Sequence, residues 1–207
     1  MTIPETQHAI QLVGPDKLEH NRTKPVIKPS GYQILVRVEA TGLCFSDLKL
    51  LKQFTSHPRK GRVISGIDPS ILEGYPSYVP GDKPAVPGHE SVVRIIAIGD
   101  KVKNHRVGER CLVQTDYRSL ITEAKSNAAF GYNMEGGLQE YVIIDERIAR
   151  DALTGERFLI PVTEERSRSA ICLVEPWACV EDSYLNEERS RIKPGGKLLV
   201  TADSGRT

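Results

Sequence analysis

Cysteine is scarce: the chain of 207 residues carries four, Cys44, Cys111, Cys172 and Cys179, with no CxxC pair among them. That excludes the dense disulfide framework of small secreted domains and fits a reducing compartment, where a thiol is a buried hydrophobe, a nucleophile or a metal ligand. An excess of charge of one sign is also missing. The 28 basic residues face 27 acidic ones, so no long-range field steers the chain to nucleic acid or an anionic membrane surface. No apolar run approaches the roughly 20 residues that span a bilayer, and residues 1–12 lack the basic start and apolar core of a secretory signal. There is no internal repeat and no low-complexity tract. What remains is a soluble globular chain, 39% hydrophobic, expected in the cytoplasm with small molecules as partners. Its length suits one good core and the beginning of a second domain.

Helical periodicity is weak before about residue 164, and short strand-like runs take its place. Residues 32–40 (YQILVRVEA) alternate imperfectly with period two and end at Thr41-Gly42. Residues 91–98 (SVVRIIAI) are rich in β-branched side chains and stop at Gly99-Asp100; residues 110–114 follow the turn signal Val107-Gly108-Glu109. Residues 137–144 (GLQEYVII) read as another strand entered through Gly136-Gly137. This spacing predicts a mainly β fold, a barrel or sandwich rather than a βαβ array. A helix is expected to start in residues 163–170 and to continue through 171–184 with a kink or restart at Pro176, and residues 197–201 (KLLVT) form a last candidate strand. Residues 53–84, rich in Gly, Pro, Ser and Tyr and without a clean period, read as a long surface loop that shapes a pocket or an oligomer contact.

Three local patterns carry the chemistry: Gly42-Leu43-Cys44-Phe45-Ser46-Asp47, Pro87-Gly88-His89-Glu90 and Val174-Glu175-Pro176. A catalytic zinc takes about three protein ligands from thiolate, imidazole and carboxylate and leaves one position open. Cys44, His89 and Glu175 offer one of each. Asp47 suits the carboxylate that receives the other ring N–H of His89, and equally suits a simple turn cap. Ser46 sits in a Ser-Asp pair that is also a common helix start.

In the order strand, GLCFSD, PGHE, VGER, GGLQEYV and VEP, from about residue 30 to 200, the sequence resembles the zinc-dependent medium-chain dehydrogenases, in particular their sorbitol dehydrogenase-like polyol branch. The resemblance implies a GroES-like β-barrel catalytic domain over residues 1–185. Residues 186–207 would be a linker and the truncated first strand of a Rossmann domain. It implies one catalytic Zn2+ held by Cys44 and His89, with Glu175 as the third ligand or as holder of the zinc water. Glu90 would stand beside the metal, and Ser46 would be the proton-relay hydroxyl. The implied reaction is oxidation of an alcohol, polyol or sugar, or reduction of the carbonyl, with hydride transfer to or from NAD(P). A homo-oligomer, dimer or tetramer, is the family's usual state.

The departures are specific. Cys111 alone stands where relatives carry the four cysteines of a structural zinc, so that second zinc is expected to be absent. Cys172 and Cys179 flank Glu175 at i−3 and i+4 and are read as packing residues. Lys49 stands where some relatives end the proton relay with a histidine. Cys44 and His89 are 45 positions apart, about twice the family spacing, and the surplus is the 53–84 stretch, whose His57, Tyr75 and Tyr78 are candidates for contacting substrate or a neighbouring subunit. After residues 197–201 the GxGxxG turn that would receive a dinucleotide is not satisfied, Gly205 being its one glycine, so the cofactor domain is expected to be missing from this chain. Two other readings stay open at this point. One is a stand-alone GroES-like zinc-binding or assembly module without catalysis; the other is a zinc-free reductase relative.

Overall fold

A computed structural model describes residues 2–151, 154–162 and 165–185, together with Gly195 and Lys197. In chain order the elements are β1 (Thr6–Gly14), β2 (Lys17–Pro25), β3 (Gln33–Gly42), α1 (Phe45–Gln53), β4 (Val63–Ser65), α2 (Pro69–Glu73), β5 (Glu90–Ile98), β6 (Arg110–Val113), β7 (Asp116–Thr122), β8 (Asn127–Ala129), β9 (Tyr141–Asp145), β10 (Leu159–Pro161), α3 (Arg168–Cys172) and α4 (Val174–Leu185). The chain divides into two units at Leu173/Val174, so α4 is the described part of the second. Among the described residues no helix is long and apolar enough to cross a membrane.

The first unit is mainly β, as expected. Its principal sheet has five antiparallel strands in the order β10-β6-β5-β3-β9; β1 pairs with β2, and β4-β7-β8 make a third sheet. Ile34, Leu35 and Val36 of β3 are all buried. The strand is therefore covered on both faces, which is why its alternation is imperfect in sequence. One core joins these residues to Val93 and Ile95 of β5, Tyr117 and Leu120 of β7, and Phe130 and Met134. A smaller one gathers Leu12, Leu50, Phe54, Ala129 and Tyr132 beneath α1. Each aliphatic side chain so buried contributes about 1.5–3 kcal/mol.

Several boundaries depart from the sequence reading. β3 runs through Thr41-Gly42 instead of stopping before them, because Gly42 pairs with Glu90 at the start of β5. The strand expected over 137–144 begins only at Tyr141; Gly136 and Gly137 instead lie against Gly88, their N–H groups donating to Val86 O and Gly88 O at 2.7 Å each. The helix expected from residue 163 is capped at Ser167, whose hydroxyl accepts from Ala170 N, and α4 begins afresh at Val174 with Pro176 in its first turn. Thr163 and Glu164, and the strand expected over 197–201 apart from Lys197, lie outside the described residues.

The 53–84 stretch is not an irregular loop. It holds two 3-10 turns, β4 and α2, and β4 pairs with β7. Tyr75 and Tyr78, candidates for ligand contact, are used internally: the Tyr75 hydroxyl donates to Ile143 O (3.1 Å), and the Tyr78 hydroxyl accepts from Val63 N (2.7 Å).

Candidate metal centre and active site

Strand register assembles the site. Because Gly42 faces Glu90 across the antiparallel pair β3 and β5, Cys44, two residues after β3, and His89, one residue before β5, leave the ladder at the same end. A Cβ on Gly42 would run into the Glu90 carboxylate, so a side chain here would displace that group from the site. Gly88 has φ 90°, a left-handed conformation that favours glycine, and a Cβ there would press on Thr41 Cγ2 at 2.6 Å. The PGHE turn can therefore lie directly on the end of β3.

Cys44 is the N-cap of α1, with extended backbone and Sγ accepting from Ser46 N (3.4 Å). Its Sγ lies 3.3 Å from His89 Nε2 and 2.7 Å from Ser46 Oγ, and Ser46 Oγ lies 3.2 Å from the same imidazole nitrogen. His89 Nδ1 faces Asp47 Oδ1 at 3.3 Å. Asp47 meanwhile accepts from Cys44 N (3.0 Å) and Gly88 N (3.2 Å), so the same carboxylate caps the helix and addresses the histidine. Burial raises its pKa, but the hydrogen bonds from His89, Cys44 and Gly88 outweigh that and hold it below the ordinary carboxylate value. Asp47 is thus an acceptor placed opposite Nδ1 of His89, and a proton on Nδ1 would leave the Nε2 lone pair toward Cys44 and Ser46.

Ligand atoms of Cys44, His89 and Glu90 all lie within 4.8 Å of one another, and His89 and Glu90 are both only 4% exposed. This donor set suits zinc. The 3.3 Å between Sγ and Nε2 is close to the ~3.5 Å that separates a thiolate from an imidazole on one tetrahedral ion. Of the six residues singled out in the sequence, five converge here: Cys44, Ser46, Asp47, His89 and Glu90. Glu175 belongs to the other unit, in the first turn of α4, where its carboxylate accepts from Cys179 Sγ (3.7 Å). Cys111 is a buried residue of β6 whose thiol is pushed up to about 12 by burial. Cys172 is buried in α3, and its Sγ donates to Glu90 O (3.2 Å), backing the strand that carries that carboxylate. Lys49 is exposed, with Nζ 5.6 Å from the centroid of the Phe45 ring.

Sequence reasoning missed Tyr132. Its ring lies 5.4 Å from that of His89 at 38°, and 5.0 Å from that of His57 at 35°. Burial raises the pKa of its hydroxyl, and a hydrogen bond with Ser46 acts in the opposite direction. No motif marks it; its one sequence signal is a position four residues before the Gly136-Gly137 pair.

Comparison with known proteins places this geometry. Residues 30–152 match the alcohol dehydrogenase GroES-like domain. Sorbitol dehydrogenase 2 of Saccharomyces cerevisiae is 25% identical over 194 residues, which are 92% of this chain and 46% of that protein. The 2R,3R-butanediol dehydrogenase of Bacillus subtilis superposes with a TM-score of 0.63 at 20% identity, covering 87% of this chain and 47% of the other. A zinc-binding dehydrogenase of Sinorhizobium meliloti bound to NADP gives 0.59 at 17% identity, covering 87% and 45%. The chain spans about half the length of these relatives. Through its alcohol dehydrogenase GroES-like domain, it belongs to the medium-chain dehydrogenase/reductase family.

Proposed function

We propose that this chain carries the zinc-binding catalytic part of an NAD(P)-dependent oxidoreductase that interconverts an alcohol, a polyol or sugar alcohol, with its carbonyl. The observation that carries the reading is the convergence of a thiol, an imidazole and a carboxylate on one point, with Asp47 fixing the imidazole from behind. Cys44 and His89 would hold the metal, with Glu90 and Glu175 as the carboxylates that complete the set or hold its water, and one zinc per chain is expected. Bound zinc supplies the Lewis acidity that lowers the pKa of a substrate hydroxyl. NAD(P), if the whole protein binds it, would supply the hydride acceptor.

This chain's own residues have definite tasks in that scheme. Ser46 Oγ, in contact with both Cys44 Sγ and His89 Nε2, is the hydroxyl placed to take the substrate proton and pass it outward. Asp47 keeps a proton on His89 Nδ1, so that Nε2 remains a ligand and not a donor. Gly42 and Gly88 keep the backbone close enough for Glu90 and His89 to share the site.

Zinc analysis of the purified chain tests the assignment. One equivalent of zinc is expected, and Cys44→Ser should lower it to background; retention of full zinc by that variant would refute the ligand set. A longer coding sequence, if it carries the remaining half, should bind NAD(P)H on titration. A full-length protein that held zinc yet bound neither nucleotide would instead be a non-catalytic zinc module.

A further inference from the structure

The 53–84 insert reaches the back of the metal-binding imidazole. Asn133 ties the turn after β8 to it: its amide nitrogen donates to Gly61 O (3.0 Å), and its backbone carbonyl accepts from Val79 N (2.8 Å). Gly131, at φ 83°, lets this turn close onto the PGHE segment, where a Cβ would stand 3.1 Å from His89 Cβ. The consequence is that Tyr132, 1% exposed, lies along the His89 ring.

Tyr132 is held on its other sides by the insert. His57 stacks against it, the Arg59 guanidinium lies 5.3 Å from its ring centroid, and Phe54 shares its apolar cluster. Arg59 is fixed in turn by Asp116 (2.8 Å), and its backbone N–H donates to His57 Nδ1 (3.2 Å). His57 meets Tyr132 ring to ring, the centroids 5.0 Å apart.

A metal-binding histidine must be fixed in two senses. A hydrogen bond to the distal nitrogen sets the tautomer and the rotation of the ring within its plane, which Asp47 does. Tilting out of that plane is resisted by packing against the ring, and the aromatic neighbour in place to do so is Tyr132, its ring tilted at 38° with its centroid 5.4 Å from that of His89. We propose that Tyr132 is a positioning residue for His89, and that the insert, acting through His57 and Arg59, sets the metal affinity of the site. The proposal rests on the reading of Cys44 and His89 as metal ligands.

Zinc affinity measured by chelator competition, with Co2+ as a spectroscopic probe, provides the test. Tyr132→Leu should weaken zinc binding about ten-fold or more, as loss of a group that orients a ligand does, and should change the Co2+ ligand-field bands. Tyr132→Phe keeps the ring and should restore both. A His57→Ala/Arg59→Ala double variant, changed only at partly exposed positions, should bind zinc several-fold more weakly with the same direction of spectral change. A folded Tyr132→Leu variant with the affinity and cobalt spectrum of the parent overturns the role of Tyr132. Unchanged affinity in the double variant overturns the role of the insert, and stands as a test even where Tyr132→Leu fails to fold. If Cys44→Ser also retains zinc, the failure belongs to the metal assignment instead.

Discussion

Two buried histidines in the first unit each face a carboxylate, and among the described residues His89 but not His105 stands with other groups that could hold a metal. His89 Nδ1 lies 3.3 Å from Asp47, and His105 Nδ1 lies 2.9 Å from Glu146. By distance alone the second is the better pair. The two carboxylates are even satisfied alike, Asp47 by the N–H groups of Cys44 and Gly88, Glu146 by those of Lys103 and Asn104. The difference is at the far nitrogen. His89 Nε2 looks onto a thiol, a hydroxyl and a second carboxylate, whereas His105 Nε2 is buried with no hydrogen-bond partner among the described residues. Each imidazole is thus addressed by a carboxylate, and what stands at Nε2 separates a candidate metal ligand from a histidine enclosed in the core.

Parallel substitutions break or sharpen this contrast. The largest effect is expected from the histidines themselves. His89→Ala should cost more than about a hundred-fold in zinc affinity, since a ligand counts for more than the group behind it, whereas His105→Ala should leave zinc affinity unchanged. The same His105 variant should lose about 2 kcal/mol in denaturant unfolding, the cost of removing one partner of a buried hydrogen bond. Loss of zinc in both variants would show that the two pairs are coupled and that the contrast is false. Next come the carboxylates. Asp47→Asn, which turns an acceptor into a group that can donate to Nδ1, should lower zinc affinity about 10- to 100-fold. Glu146→Gln should lower the melting temperature and leave the metal untouched. Chelator competition and thermal melts on the four proteins make this comparison complete.

His89 was marked in the sequence and the His105–Glu146 pair was not, for a physical reason. His89 sits in PGHE, where proline and glycine advertise a forced backbone, and Cys44 stands beside the Ser46-Asp47 pair that reads as a helix start; local constraint leaves a local trace. Glu146 is 41 positions from His105, and no short pattern reports such a pair. The β1–β2 hairpin was missed because β2, KLEHNRTKP, is polar and largely exposed, so it carries no apolar period. The insert was misread for the opposite reason. Its anchor is Lys60, wholly buried, with Nζ donating to the carbonyls of Val79 and Lys83, and burial depresses its pKa to about 8. A lysine in a Gly- and Pro-rich stretch reads as solvated surface, and only the fold shows that it closes the segment on itself. Glu175 was legible as a motif, and one contact of its carboxylate in the described structure is with Cys179, one helical turn on.

The smallest effect expected from the contrast is in the pH dependence of stability. Burial lowers the His105 pKa beneath its ordinary 6.5, with Arg157 acting in the same direction and Glu146 and Glu109 opposing it. Burial raises that of Glu146, but bonds from His105, Asn104 and Lys103 bring it below 4.5. In both cases the unfolded chain takes up a proton first, so stability falls as pH falls: through the window just below 6.5 for His105 and below 4.5 for Glu146. His105→Gln can still donate to Glu146 but cannot titrate. Placed in a Cys44→Ser background, so that metal release does not contribute, it should show a smaller loss of melting temperature from pH 7 to pH 5 than Cys44→Ser alone. The His89–Asp47 pair is common to both proteins and cancels in the difference. Equal slopes would mean that His105 titrates alike in the folded and unfolded chain, and a steeper loss in the His105→Gln variant would mean that His105 folds with its proton bound and pairs with Glu146 as an ion pair; either outcome breaks the comparison with His89.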